Sequence, residues 1–148
     1  MKTILVVNSS PDSESSSTRK IVAELVVRLR GEWPGANVIE RDLAVTPLPH
    51  FDPHSAEAGP RSDLVCREFL GADAVVVGAP MWNFSIPSAL KAWIDHLVRA
   101  GVTFRYTADG PVGLADPTKT VFLVESSGGV YDTAPASERN HVTPYLEH

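Results

Sequence analysis

Residues 74–99 read AVVVGAPMWNFSIPSALKAWIDHLVR, and three kinds of segment follow one another in them. Ala74 to Val77 is a short, β-branched apolar run without alternation, the pattern of a strand buried on both faces, as in a parallel sheet. Periodicity by itself does not separate such a run from a buried stretch of helix. Ser88 to Arg99 places Leu90, Trp93, Ile94, Leu97 and Val98 on one stripe, with Lys91, Asp95 and Arg99 on the other side, which is the period of an amphipathic helix. Pro87 stands near its start, where a missing N–H matters little. Between strand and helix, Pro80 and Pro87 fix φ at two points around Met81, Trp82, Asn83, Phe84 and Ser85.

The same strand-to-helix order extends in both directions. Ile4 to Val7 and Val121 to Val124 are further apolar runs, and Asn37 to Leu43 alternates in part, which suits an edge strand. In Ser17 to Arg30 the residues Ile21, Val22, Leu25, Val26 and Leu29 share one helical face, and Gly31 is expected to stop it. Asp63 to Leu70 reads as a short helix. Strands and helices in alternation imply right-handed crossovers and a parallel sheet covered on both faces, an α/β fold in three layers. Two stretches break the alternation. Residues 44–62, with four prolines, read as a long connection, and residues 100–119 hold a hairpin signal around Asp109-Gly110-Pro111.

At 148 residues the chain suits one domain over 1–148 with a substantial core. Its apolar share of 43%, charged share of 21% and net charge of −5 are those of an ordinary globular protein. The cations are scattered, which argues against nucleic acid as a partner. The single cysteine, Cys66, has no partner for a disulfide, as expected of a reducing, cytoplasmic setting. The N-terminal apolar run is far too short for a signal peptide or a membrane span.

In open α/β sheets, ligands bind beyond the carboxyl ends of the strands, where three loops are expected. Asn8 to Ser17 carries six serines between Ser9 and Ser17 and opens into a helix whose first amides lack partners. With hydroxyls at Ser10, Ser16, Ser17 and Thr18 it makes an anion site suited to phosphate; the plainer reading is one N-cap and a solvated loop. In Gly78 to Pro87, backbone amides and Asn83 can read the edge of a flat heteroaromatic ring while Trp82 or Phe84 covers its surface. The plainer reading is a hydrophobic plug over the end of the sheet. Glu125 to Thr133 contains Gly128-Gly129, which permits positive φ and close approach to a ligand, or else makes an ordinary turn.

No nucleophile elbow or metalloprotease motif is present, and His50, His54, His96, His141 and His148 lack metal-ligand spacing, so no metal is expected. His96 is expected on the polar or flanking side of its helix. A phosphate site, a platform for a flat ring and no acid–base set point to a bound cofactor that carries the chemistry. Flavin mononucleotide (FMN) in a flavodoxin-like fold satisfies all three.

The stretches APMWNFSIPSALKAWIDHLVRAGVTFRYTADGPVGL (79–114), SSGGVYD (126–132) and SSPDSESSST (9–18) closely resemble the FMN-dependent NADH-azoreductases, a branch of the flavodoxin-like NAD(P)H:quinone oxidoreductases. The resemblance implies a homodimer with FMN near the subunit interface. It implies that Ser10, Ser16, Ser17 and Thr18 hold the phosphate. Met81, Trp82, Asn83 and Phe84 would line the isoalloxazine from one side, and Ser126, Ser127, Gly128 and Gly129 would reach its other edge. Tyr106 and Tyr131 would border the substrate space. The implied reaction is ping-pong: NADH or NADPH reduces the flavin, and a quinone or azo compound then takes two electrons from it, with no catalytic side chain required.

Three departures from the family pattern carry consequences. Ser127 stands where the family's S-R-G-G turn has arginine, which removes a charge near flavin or substrate. The connection over residues 52–62 is short for the family, which cuts back a pocket wall. The chain ends at His148, so the expected sheet lacks the family's last strand and closing helix. Two other readings stand beside the oxidoreductase: a non-catalytic flavin-binding or interaction module, and a phosphate-binding structural domain without flavin.

Overall fold

The computed structural model describes residues 1–148. The elements run β1 (Thr3–Asn8), α1 (Ser17–Glu32), β2 (Asn37–Asp42), α2 (Ala58–Gly71), β3 (Ala74–Pro80), α3 (Ser88–Leu97), β4 (Phe104–Thr107), β5 (Gly110–Gly113), β6 (Thr120–Ser126) and a one-turn α4 (Thr143–Leu146). β2, β1, β3 and β6 lie side by side in that order, all parallel. β4 and β5 form the separate antiparallel hairpin that the Asp109-Gly110 signal anticipates.

Alternation along β1 divides the core into two. Ile4 and Val6 face one side, where Val22 and Leu29 of α1 cover them together with Ala74, Val76 and Val124. Leu5 and Val7 face the other side, against Val65 of α2, Leu90, Trp93 and Leu97 of α3, and Val142. All four β1 side chains are buried, and each such burial contributes about 1.5–3 kcal/mol.

Helix boundaries depart from the sequence reading for local reasons. α1 continues through Gly31, and the left-handed turn that reverses the chain is made by Gly35 at φ 81°. α2 begins at Ala58, five residues before the expected Asp63, with Pro60 inside its first turn. A proline is tolerated there because the first amides of a helix have no intrahelical acceptor. The long connection therefore shrinks to residues 43–57. His96 faces inward on α3, almost fully buried. Pro49 offers its ring only a carbonyl, 3.1 Å from Nε2, so Nε2–H donates and Nδ1 accepts from the Ser62 hydroxyl at 2.8 Å. Phe51 meets the same ring edge-on, with centroids 5.3 Å apart. A polar side chain on the apolar stripe thus ties the proline-rich connection to α2 and α3. Cys66 is buried against the end of α3, its thiol 3.4 Å from the Leu97 carbonyl, and burial pushes that thiol above the ordinary range.

Candidate functional site

β1, β3 and β6 are adjacent and parallel, so the loops that leave their carboxyl ends emerge side by side. Backbone bonds stitch them together. Ser9 donates to the Gly78 carbonyl through its hydroxyl at 2.6 Å and its amide at 3.3 Å, and the Met81 amide donates to the Ser126 carbonyl at 2.7 Å. Ser9 has no place among the sequence-derived candidates; its cue is its position as the first hydroxyl after β1. Gly78 stands at a close approach. A Cβ there would stand 3.2 Å from Val22 Cγ2, 3.4 Å from Asn8 Oδ1 and 3.7 Å from Thr18 Cβ. A larger residue would push on Val22, in the second turn of α1, by a few tenths of an ångström.

In the serine loop, Ser16 is the N-cap of α1 and accepts from the Arg19 amide at 3.3 Å, while its hydroxyl also meets that of Thr18 at 2.9 Å. The capping reading therefore holds for Ser16. It leaves the amides of Ser17 and Thr18 without an acceptor in the chain, and the first turn of α1 holds no acidic residue to neutralise them. These two donors and the exposed Ser17 hydroxyl sit at the positive end of a sixteen-residue helix. Ser10 is buried and donates to the Asp12 carbonyl at 3.1 Å. Asp12 shapes the loop by accepting from the Glu14 and Ser15 amides, each at 2.9 Å; hydrogen bonds from Ser15 hold its carboxyl below the usual range.

Arg19 anchors this loop. Its guanidinium makes two bonds to Asp42, at 2.6 and 2.9 Å, and a third to the Ser10 carbonyl at 2.9 Å. The paired guanidinium lowers the Asp42 carboxyl below its ordinary value. A group whose folded value is depressed contributes stability above the unfolded value, about 3.9, and loses it as pH falls through the lower folded value. The clasp is thus fully formed at neutral pH and loosens only below about pH 4. Asp42→Asn is expected to lower stability by about 1–2 kcal/mol at pH 7, after allowance for partial exposure, and to flatten the acid limb of a urea-midpoint-against-pH profile.

The 82–85 segment is a two-residue reverse turn. Trp82 and Ser85 exchange both backbone bonds, at 2.8 and 3.1 Å, and Asn83 and Phe84 both lie in the left-handed region, at φ 49° and 68°. Those are the two positive-φ sites of a type I′ turn, where Asn-Gly is favoured. Asparagine tolerates this conformation, but phenylalanine is strained in it by about 1–2 kcal/mol. The Phe84 carbonyl accepts from the His141 amide at 2.9 Å. Trp82 is 54% and Phe84 43% exposed. Rings that plugged the sheet would be buried, so the turn presents aromatic surface outward.

Gly128 and Gly129 do not take positive φ. Gly129 instead lies against a ring: a Cβ there would stand 3.2 Å from Cε2 of Tyr131. The Ser127 hydroxyl folds back onto the Gly129 carbonyl at 2.6 Å. Ser126 and Ser127 share a small cleft of about 80 Å³ with Met81 and Asn140. Tyr131 packs edge-to-face on Phe84, with centroids 6.0 Å apart. Tyr106 lies elsewhere. It is 76% exposed on β4 and borders an apolar groove of about 880 Å³ with Val112, Val121 and Tyr145. The structure therefore brings Ser10 to Thr18, Met81 to Phe84, Ser126 to Gly129 and Tyr131 to one sheet edge and leaves Tyr106 outside it.

Residues 2–148 match the family described as having the flavodoxin-like fold. The FMN-dependent NADH:quinone oxidoreductase 1 of Rhizobium etli is 44% identical over 162 aligned positions, which cover 99% of this chain and 78% of that one. A protein of the same designation from Herminiimonas arsenicoxydans is 44% identical with the same coverage. Because 162 positions outnumber the chain's 148 residues, the Rhizobium protein carries residues within the matched span that this chain lacks. Among solved structures, an azoreductase from Bacillus anthracis superposes with a TM-score of 0.87 at 31% identity, over 99% of this chain and 79% of that one. A Bacillus anthracis FMN-dependent NADH-azoreductase in complex with FMN shares the fold at a TM-score of 0.85 and 24% identity. No helix of the chain is long and apolar enough to cross a membrane.

Proposed function

The chain belongs to the flavodoxin-like fold family, and from that premise we propose that residues 1–148 form one FMN-binding domain of an NAD(P)H oxidoreductase that reduces quinones and azo compounds. The observation that carries this reading is the junction of two features at one sheet edge. The unpaired Ser17 and Thr18 amides lie at the head of α1, and the outward-facing Trp82–Ser85 turn is bonded through Met81 to Ser126. The first suits the phosphate of FMN and the second the edge of its ring. When bound, the flavin supplies the two-electron chemistry, taken from NADH or NADPH and passed to the acceptor in ping-pong order.

The chain's own residues bind and orient. Ser10, Ser16, Ser17 and Thr18 form the phosphate cradle, in which Ser16 acts mainly by capping α1 and Ser10 by shaping the loop. Met81, Trp82, Asn83 and Phe84 flank the ring, with Ser126, Ser127, Gly128 and Gly129 at its far edge. The polar donors on this edge, Asn83 and loop amides, would hold the ring by hydrogen bonds and would favour added electron density on it. Tyr106 takes its place through the homodimer that the family resemblance implies. It lies on the hairpin beside an apolar groove and not on the three loops, and in a homodimer it would border the substrate space of the neighbouring subunit. A buried, unpaired thiol at Cys66 accords with a reducing, cytoplasmic setting.

The test is a spectrum. Purified protein mixed with FMN and desalted is expected to retain the visible flavin bands, to bleach on anaerobic NADH or NADPH, and to recover colour when a quinone is added. A colourless product overturns the reading. Retained colour without bleaching makes the chain a flavin-binding module and removes the enzymatic part.

A further inference from the structure

We propose that Tyr131 is a positioning residue whose ring, seated against Gly129 and Phe84, holds the Asn83-Phe84 turn in its left-handed form and so couples the two loops that face the flavin. Phenylalanine is a poor occupant of the second position of such a turn, and the conformation persists only when its surroundings over-determine it. Three contacts do so. The paired bonds between Trp82 and Ser85 close the turn, the His141 amide holds the Phe84 carbonyl at 2.9 Å, and the Tyr131 ring meets the Phe84 ring edge-on at 78°.

Tyr131 is itself held in place. Its Cε2, hydroxyl and Cζ stand 3.2, 3.4 and 3.5 Å from where a Gly129 Cβ would be. The second glycine of the Gly-Gly pair thus provides the seat of the ring. Met81 to Ser126 at 2.7 Å fixes the base of the same unit. A displacement in the 126–131 loop is therefore passed to the 82–85 turn through the Tyr131 ring. The contact is between the two rings and needs no hydroxyl, which sets this role apart from direct hydrogen bonding to a substrate or cofactor.

The functional consequence rests on the FMN reading, but the conformational claim is testable without flavin. In FMN-free protein, Tyr131→Ala is expected to speed hydrogen exchange at the Ser85 and His141 amides by about tenfold, and Tyr131→Phe to leave it near the parent rate. Gly129→Ala, which unseats the ring, is expected to behave like Tyr131→Ala. In a Phe84→Gly background, where the strain is gone, Tyr131→Ala is expected to add little, a non-additivity that marks the contact. With FMN, Tyr131→Ala is expected to weaken binding by about tenfold and shift the visible bands of the bound flavin, while Tyr131→Phe recovers both. Unchanged exchange in Tyr131→Ala overturns the proposal. So does equal loss of FMN affinity in Tyr131→Phe and Tyr131→Ala, which would assign the hydroxyl a direct contact. If the parent protein binds no FMN, the functional reading fails and the exchange experiment still decides the role of Tyr131.

Discussion

Ser17→Glu is expected to abolish useful FMN binding while leaving the fold at least as stable as before. Ser17 is the first residue of α1, exposed, with no acidic residue in that turn. A glutamate there complements the helix dipole and adds about 0.3–1 kcal/mol to the folded state. The same carboxylate competes for the Ser17 and Thr18 amides and repels a phosphate. Two unit charges about 4 Å apart near a protein surface interact by about 4 kcal/mol, and less with full solvent access. A hundredfold loss of affinity, about 2.7 kcal/mol, is the corresponding expectation. Flavin fluorescence titration gives the affinity, and thermal melting of FMN-free protein gives the stability. Ser17→Gln, without the charge, is expected to lose much less. Normal binding by Ser17→Glu would remove the phosphate from the head of α1.

The second large effect is on stability, at His96. His96→Leu leaves the buried Ser62 hydroxyl without its partner, at about 1–3 kcal/mol, and removes the bond to the carbonyl of exposed Pro49, at about 0.5–1.5 kcal/mol. A total loss of about 3 kcal/mol is expected, enough to lower the melting midpoint by about 10 °C in a domain of this size. The proline-rich connection over residues 43–57 is expected to become a preferred site of limited proteolysis. Adding Ser62→Ala to His96→Leu should recover part of the loss, because it removes the orphaned hydroxyl. A loss below about 1 kcal/mol would mean that the connection is anchored by packing at Phe51 and Leu48 alone.

The parallel sheet was legible because β-branched runs such as Ala74–Val77 carry their own signature of burial on both faces. The three loops at its carboxyl edge were legible because strand order and handedness place them there once the alternation is recognised. The resemblance in residues 79–114 added the flavin and named the residues. The same pattern misplaced His96, since a helical stripe records side and not partner, and the residues that satisfy its ring lie 34 and 47 positions away in the chain. It also began α2 late, because Pro60 reads as a helix breaker unless it is known to fall in the first turn.

The sequence by itself determined the order of elements, the sheet they form and the edge at which the three candidate loops gather, because hydrophobic period and turn chemistry are local properties. Tertiary structure decided what the turn at Met81–Ser85 is. Its left-handed Asn83-Phe84 pair, the ring of Tyr131 against Phe84 and the His141 amide on the Phe84 carbonyl arise from contacts between segments far apart in sequence. It also decided that Gly128 and Gly129 take no positive φ, and that Tyr106 lies on the hairpin beside an apolar groove. Composition carries no information about such distances, which exist only once the sheet has brought β1, β3 and β6 side by side.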